Sequence, residues 1–390
     1  MAAAAPIVLA KAEQETASVP WFVWTSLLAV TCACVGLHWD ISWHRSIGRD
    51  TFWTPAHIAI QFCGVLGGLS GGYLILMTTL KRAPEALGAS VEVLGLRGPL
   101  GAFVTAWGAL AMIFSAPFDD WWHQAYGLDV KIVSPPHVIL AVGIFGVAFG
   151  SMLLVVSAMN RSSGNQQAML ESAYLYVSGM VFALMQVLIM EYLLLTAKHT
   201  SWPYIVLAIG SPAILAGTAF SIKRPYSATI TAAIYTLLVL ALEITLPLFP
   251  AQPKLGPVYH PIQHFVPPPF PPMVWFPALA LDLLWSKIRD RSLWQVAILS
   301  GVVFTAAMLF ADWNTATFIL QTKLGHAAFF HAGYIDFSTP MSPNSYYVRH
   351  EFMHEPPGSF VKGMALATGI AALSTHVGIV RGLWMSKVQR

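Results

Sequence analysis

The sequence predicts an all-α polytopic integral membrane protein, with about ten transmembrane helices and a cap on its outer face. Two observations support this prediction. Of the 390 residues, 56% are hydrophobic and only 10% are charged, and apolar runs of roughly 18–25 residues recur along the chain. A soluble domain carries about 25% charged residues because its surface must be solvated. A surface that faces lipid does not, so the composition indicates a membrane protein.

The apolar runs define the candidate spans, and the eighth run is the shortest. They lie near 21–38, 56–80, 98–117, 136–159, 168–196, 203–222, 227–249, 272–286, 293–311 and 359–385. We divide the chain accordingly into 1–20, a cytoplasmic tail without signal-peptide features; 21–160, a tandem-repeat metal-binding half of four helices; 161–311, helices five to nine; 312–358, an outer cap; and 359–390, the last transmembrane helix and a tail.

The basic residues between the spans predict the topology. They fall in alternate connections, at Lys81, Arg82, Arg97, Arg161, Lys223, Arg224, Lys287, Arg289 and Arg291, and after the last span at Lys387 and Arg390. The positive-inside rule makes these connections cytoplasmic. The protein is therefore predicted to lie in the inner (cytoplasmic) membrane of the cell, with both termini on the cytoplasmic side. The net charge of +3 and the absence of a long basic run give no indication of a nucleic-acid partner, and the bilayer is the predicted partner.

The opposite connections hold the long segments and most histidines. Twelve of the thirteen histidines lie in or beside these connections, and only His376 falls elsewhere. Histidines did not enter the assignment of topology, so their segregation is independent information that favours a functional outer face. Among these connections, the Pro-rich loop 250–271 is predicted to lie across that face as a lid, because proline lacks an amide donor.

A tandem motif near the N-terminus contains the main candidate metal-binding residues. Each copy reads D-x-x-W-H-x-x-x-G-x-D, followed by proline and a histidine at the head of the next apolar span. The first copy consists of Asp40, Trp43, His44, Gly48, Asp50, Pro55 and His57, and the second of Asp119, Trp122, His123, Gly127, Asp129, Pro136 and His137.

The spacing of the motif predicts a metal site at the helix ends. Asp40 and His44 are four residues apart, so one helix face presents both, and His57 returns on the next helix. Three ligands leave a coordination position open, as catalytic metals require. Nitrogen and carboxylate ligands without thiolate suit copper, zinc or non-haem iron. Tryptophan, histidine and aspartate are also common where helices meet lipid headgroups, but a repeated motif favours the metal site.

The segment from Asp40 to Ile58 resembles the metal-binding segment of the C subunit of the copper membrane monooxygenases, the family of the particulate methane and ammonia monooxygenases. The resemblance covers roughly 35–150. The family has a second cluster, an Asn four residues before a His and then a helix-opening His, and Asp119 replaces that Asn here. Residues that match the first cluster in type and spacing are Asp40, His44, Arg49, Asp50, Thr51, Thr54, Pro55 and His57.

The resemblance implies copper as the metal, held by Asp40, His44 and His57. By the family pattern, a second, adjacent or alternative site would use Asp119, His123 and a shared His57. In the other interpretation, Asp119, His123 and His137 together would provide a second site or the outer shell of the first. The implied function is a membrane oxidoreductase that hydroxylates a small apolar substrate with O₂. The alternative is a non-catalytic metal-binding or structural subunit of a larger membrane oxidase or oxygenase complex. Partner membrane subunits or a homo-oligomer are expected in either case.

The neighbouring residues receive supporting roles. Trp43 and Trp122 would pack around the ligands and limit water. Asp50 and Asp129 would orient the ligating imidazoles, and Arg49 would pair with a carboxylate.

Two further patterns stay open. His350, Glu351 and His354 are spaced like a zinc-hydrolase H-E-x-x-H helix, although Pro356 follows closely. Three carboxylates, at Glu191, Glu243 and Asp282, lie in or near predicted spans. Because unpaired burial is costly, each is expected to find a partner in the bundle, with proton delivery as the alternative role.

Overall fold

A computed structural model gives the fold of residues 19–48, 51, 53–127, 134–254, 258–259, 261–326, 328–330 and 342–390. Within these residues the secondary structure is helical except for one two-stranded antiparallel hairpin. The α-helices are α1 Trp21–Ser46, α2 Pro55–Lys81, α3 Pro84–Gly88, α4 Leu100–Tyr126, α5 Pro135–Asn160, α6 Gly164–Ile189, α7 Trp202–Ser221, α8 Ser227–Thr245, α9 Trp275–Ile288, α10 Leu293–Gln321, α11 Tyr346–Arg349 and α12 Pro357–Met385, and the strands are β1 Val91–Val93 and β2 Leu96–Gly98.

The long helices confirm the predicted class of multi-pass membrane protein. In the part of the chain that the structure describes, nine helices are long and apolar enough to cross a membrane. The eighth predicted span is the exception, because α9 has 14 residues. At about 1.5 Å per residue it is roughly 21 Å long, less than the ~30 Å of a hydrocarbon core. Extended chain precedes it, and the Met273 amide there donates to Asp312 of α10.

Both chain termini of the described bundle lie at one end. The Trp21 ring at the start of α1 contacts Tyr73 near the end of α2. The Asn160 side chain at the end of α5 donates to the carbonyl of Met385, the last residue of α12, at 2.9 Å. Because α2 and α5 both run toward this end, it also carries the basic connections. We call it the basic end, and the opposite one the histidine end.

Two helices extend beyond the predicted spans and carry ligands of the tandem motif. α1 continues from the predicted limit at residue 38 to Ser46, and α4 continues from residue 117 to Tyr126. Each extension is about two turns of helix that hold an aspartate and a histidine four residues apart. α10 likewise continues to Gln321, so that 312–321, predicted as cap, is helix. The rest of the described cap contains a short 3-10 turn, Ala328–Phe330, and α11.

Close helix packing positions the repeated half. α1 packs on α2, α4 packs on α5, and α2 packs on α4. The α4–α5 contact depends on glycine: a Cβ on Gly108 would lie 2.5 Å from the backbone nitrogen of Val147. Without a hydrophobic driving force between helices in lipid, such close backbone approach is a main source of association. The helix ends that carry the motif are therefore held by rigid pairs.

The Pro-rich loop differs from the predicted lid. Its second part, 261–274, which we call the strap, is largely buried against α1 rather than lying over the outer face. Proline leaves backbone carbonyls without a regular partner, and α1 side chains supply the donors. Ser42 Oγ donates to the Val266 carbonyl at 2.5 Å, and Ser46 Oγ accepts from the Val266 amide at 2.7 Å. The strap therefore fixes the helix end that carries Asp40 and His44.

Candidate metal centres

The structure brings Asp40, His44 and His57 together at the histidine end. One ligand atom from each lies within 4.8 Å of the other two. Asp40 Oδ1 is 3.1 Å from His57 Nε2, and Asp40 Oδ2 is 3.8 Å from His44 Nε2. The aspartate and His57 are largely buried, whereas the His44 side chain is 47% exposed. The group is therefore open on the His44 side and closed on the others.

The contact between Asp40 and His57 is short, yet it does not have hydrogen-bond geometry. Asp40 Oδ1 is buried and accepts no hydrogen bond from the residues that the structure describes. A buried carboxylate oxygen without a hydrogen bond is uncommon and needs another partner. Because Oδ1 lies beside the imidazole of His57 and Oδ2 beside that of His44, the Asp40 carboxylate is placed to share a cation with both rings.

The second copy of the motif forms a second group. Asp119 Oδ2 lies 3.5 Å from His123 Nε2, and Asp119 Oδ1 lies 3.5 Å from His137 Nε2. All three side chains are about one-third exposed or less. His123 Nδ1 is 3.1 Å from the Gly127 carbonyl. A hydrogen bond there places the ring proton on Nδ1 and leaves the Nε2 lone pair facing the aspartate, the arrangement that orients metal-binding histidines.

The same local arrangement places the third candidate ligand, His57 or His137, in both copies of the motif. α2 begins at Pro55 and α5 begins at Pro135, and in each helix the third residue is the histidine. Proline at the first helical position loses no hydrogen bond and has the helical φ already set. The extra residue in the second copy therefore lies in the connection before the helix, and it leaves the position of the histidine on the helix unchanged.

The distances in both groups suit a metal ion. Two ligands about 2.1 Å from one ion, at a tetrahedral angle, are about 3.4 Å apart. In the second group both aspartate–histidine distances are 3.5 Å. In the first group the two corresponding distances are 3.1 and 3.8 Å, one shorter and one longer than this ligand separation. A carboxylate with two imidazoles is also a donor set that copper, zinc and non-haem iron accept.

The third ligand of the second group differs from the set that the family resemblance implied. That set shared His57 between two sites. In the structure His57 closes the group of Asp40 and His44, and His137 closes the group of Asp119 and His123. The reason is the helix pairing: α1 packs on α2, and α4 packs on α5, so each returning histidine meets the helix that precedes it.

Aromatic residues surround both groups. Trp43 contacts Phe265 of the strap with ring centroids 5.7 Å apart, and it packs on a small apolar cluster with Leu242 of α8 and Leu246, which follows α8. Trp122 contacts Phe118 and Tyr126 on its own helix. The predicted roles of Arg49, Asp50 and Asp129 concern positions outside the described residues.

The H-E-x-x-H pattern does not form a helical zinc motif. α11 ends at Arg349, and His350 has a left-handed backbone with φ +54°. The following residues up to Pro356 are not helical, so His350 and His354 do not share a helix face. Instead, His350 Nδ1 lies 3.1 Å from His326 Nε2. The hydrolase hypothesis therefore loses its geometric basis.

The sequence reasoning missed a buried ion pair at the histidine end. Lys198 Nζ lies 2.5 Å from Asp312 Oδ2, and both side chains are buried. Asp312 also accepts from the Met273 amide, and the Lys198 carbonyl accepts from the Tyr204 hydroxyl. The pair therefore ties α10 to the start of α7 and to the strap. The sequence contains both charged residues, but no local pattern predicts a pair between residues 114 positions apart.

His199 is part of the packing rather than of a metal group. Its ring stacks between Trp313 at 3.7 Å and Phe352 at 3.4 Å. Burial there lowers the pKa of His199, although the Trp313 carbonyl opposes the shift. The folded protein therefore holds this imidazole neutral below its usual range.

That shift predicts a pH effect on stability. The unfolded chain takes up a proton at His199 near pH 6.5 while the folded protein does not. Stability is therefore expected to fall as the pH decreases through about 6.5. In metal-free protein, His199→Phe, which keeps the stacked ring, should flatten the dependence of the melting temperature between about pH 7.5 and pH 5. An unchanged slope would contradict the assignment.

Comparisons with family models, with curated proteins and with solved structures gave no match to the chain.

Proposed function

We propose that this chain is a copper-binding membrane oxidoreductase, similar to the C subunit of the copper membrane monooxygenases, that hydroxylates a small apolar substrate with O₂. The observation that carries the proposal is the convergence of Asp40, His44 and His57, the residues on which the resemblance rests. The donor set by itself also admits zinc or non-haem iron, so copper depends on the resemblance.

The two groups would hold one ion each. A copper ion there would supply one-electron chemistry and the activation of O₂. Asp40 contributes one negative charge that offsets the charge of a cation, and the two imidazoles contribute neutral donors. Asp119, His123 and His137 repeat the arrangement on the second helix pair. Two equivalent sites are therefore proposed instead of two sites that share a ligand.

The surroundings would serve an apolar substrate. The strap and Trp43 close one side of the first group with apolar surface. The exposed side of His44 leaves the remaining approach open. Helices with exposed apolar residues would place this approach beside lipid, which dissolves and concentrates small apolar molecules.

The orientation of the protein is part of the proposal. We place it in the cytoplasmic membrane with the basic end inside, by the positive-inside rule. The two groups then face the outer side. Partner membrane subunits or further copies of the chain are proposed because the similar family subunit acts only within such an assembly.

The second candidate function is a non-catalytic metal-binding subunit. The partial exposure of the second group, whose three side chains are each between 27% and 34% exposed, favours it. A site that must exclude water from reactive intermediates is usually more closed. Such a subunit would bind metal for structure or for delivery to a partner chain.

Elemental analysis of the native protein, extracted from membranes with its partner chains, tests the metal. We expect copper at close to two equivalents per chain. Zinc or iron in place of copper would reject the proposal of a copper-binding oxidoreductase, and only the proposal of metal binding would remain.

A ligand variant separates catalyst from scaffold. The double variant Asp40→Asn/Asp119→Asn keeps the side-chain size in both groups and removes from each the charge that its cation needs. We expect lower copper content and loss of substrate hydroxylation in an assembly that stays intact by size-exclusion chromatography. Full turnover in an intact assembly that has lost its copper would favour the non-catalytic subunit. His376→Ala, on α12 and outside both groups, is the matched control and should retain both properties.

A further inference from the structure

Glu243 is a buried carboxyl group without a partner. It lies on α8, is 3% exposed, and neither of its oxygens has a hydrogen-bond partner among the residues that the structure describes. A partner was expected for each carboxylate of the spans, and for Glu243 that expectation is wrong. A buried, unpartnered carboxyl group is rare enough in proteins to need an explanation.

Two other carboxylates of the bundle have partners, as was expected for Asp282. Asp282 of α9 accepts from the Thr229 amide at 2.8 Å and from the Thr229 hydroxyl at 2.7 Å. Asp312 of α10 pairs with Lys198. Hydrogen bonds and an opposite charge both favour the ionised form. Glu243 has neither of these.

The described helices around Glu243 offer it no hydrogen-bond partner. α8 packs against α1, α6, α7 and α9. The tyrosine, aspartate and histidine side chains on these helices are engaged elsewhere: Tyr174 with Ser221, Tyr176 with Thr31, Tyr204 with Lys198, Asp282 with Thr229, and His38 with Cys34. On α1, Asp40 and His44 belong to the first candidate metal group, and Arg45 donates to the Pro267 carbonyl. Glu191 is exposed after α6, and Glu171 and Lys287 belong to the basic end of α6 and α9. Tyr235 lies about two turns earlier on α8 and is buried.

An isolated carboxylate in such surroundings is unfavourable, since an apolar medium does not solvate its charge. The neutral acid removes that cost by keeping its proton. Glu243 is also two residues from the end of α8, next to exposed Ile244 and Thr245. Small openings of this last turn give water access, because helix ends open more readily than helix centres.

We propose that Glu243 is a proton-binding site: it is a neutral carboxylic acid at pH 7 and exchanges its proton with water at the histidine end. In the exchange the O–H bond breaks, the proton passes to water, and the carboxylate takes a proton back. Ionisable groups inside membrane bundles commonly serve as such proton relays. The proposal is independent of any metal at the histidine end.

Infrared difference spectroscopy of the purified full-length protein tests the protonation. We expect the carbonyl band of a protonated carboxyl group at pH 7. The band should shift when glutamate carboxyls are labelled with ¹³C and stay unchanged when aspartate carboxyls are labelled. Absence of the band, or a shift with labelled aspartate instead, would overturn the proposal. This measurement needs no variant, so a folding defect does not affect it.

A matched pair of variants and a solvent exchange complete the test. Glu243→Gln should remove the band, and Asp282→Asn should leave it. Transfer of the wild-type protein to D₂O should shift the band within hours, whereas a sealed structural acid would keep its position. Persistence of the band in Glu243→Gln, or no shift in D₂O, contradicts proton exchange at Glu243. Because metal content is not part of the readout, failure here leaves the proposed metal centres unaffected.

Discussion

His57→Ala is expected to remove one of two bound metal equivalents and to leave the other. The imidazole of His57 closes the group of Asp40 and His44, and its Nε2 lies 3.1 Å from Asp40. Loss of one of three protein ligands leaves too few donors to hold an ion at low free concentration. The second group keeps its own returning histidine, His137. Elemental analysis of the purified variant measures the remaining metal.

The reciprocal variants decide between separate and shared sites. His137→Ala should remove the other equivalent, and the double variant should bind none. If the two sites shared His57, the single His57→Ala variant would lose both equivalents. Retention of both equivalents in the double variant would reject the ligand assignment altogether. His376→Ala is again the control, since it changes a histidine remote from both groups.

Lys198→Met is expected to be among the most destabilising single changes in the chain. It keeps an unbranched side chain one atom shorter than that of lysine and leaves the Asp312 carboxylate buried without its cation. Breaking a buried pair from one side costs about 3–5 kcal/mol, because the remaining charge loses its compensation. A thermal melt of the detergent-extracted protein should show a clearly lower midpoint. The strap should also loosen, since Asp312 accepts from Met273.

Two comparisons isolate the effect of the pair. The double variant Lys198→Met/Asp312→Leu should be more stable than Lys198→Met alone, because no uncompensated charge remains. Arg97→Met breaks the exposed pair with Glu92, which has a similar short distance of 2.7 Å. Exposed pairs contribute roughly 0–1 kcal/mol. If Lys198→Met lowered the melting temperature no more than Arg97→Met does, the buried pair would not be a main source of stability of the bundle.

Much of the candidate site follows from local spacing. Asp40 and His44 meet because residues four apart share a helix face. His57 meets them because a short connection returns the chain through Pro55 into an antiparallel helix. Neither step requires knowledge of the rest of the molecule, so the sequence predicts the convergence of all three. The predicted spans ended before the ligands, since polar residues at a helix end lower the hydropathy without ending the helix.

Other features depend on which helices pack together. His137, and not His57, completes the second group because α4 pairs with α5. The strap is inserted beside α1 because Ser42 and Ser46 supply hydrogen-bonding partners that proline-rich chain lacks. The contacts of the strap join residues more than two hundred positions apart, and no local pattern specifies them.

By itself, the sequence determined the membrane class, the order of the helices and the first candidate metal group, because composition and short-range periodicity are local properties. The tertiary structure alone decided that His137 completes the second group, that Lys198 pairs with Asp312, and that Glu243 has no hydrogen-bond partner among the described residues. The physical reason is that a buried charge is stable or costly according to its neighbours in space. Those neighbours are fixed only when the bundle assembles.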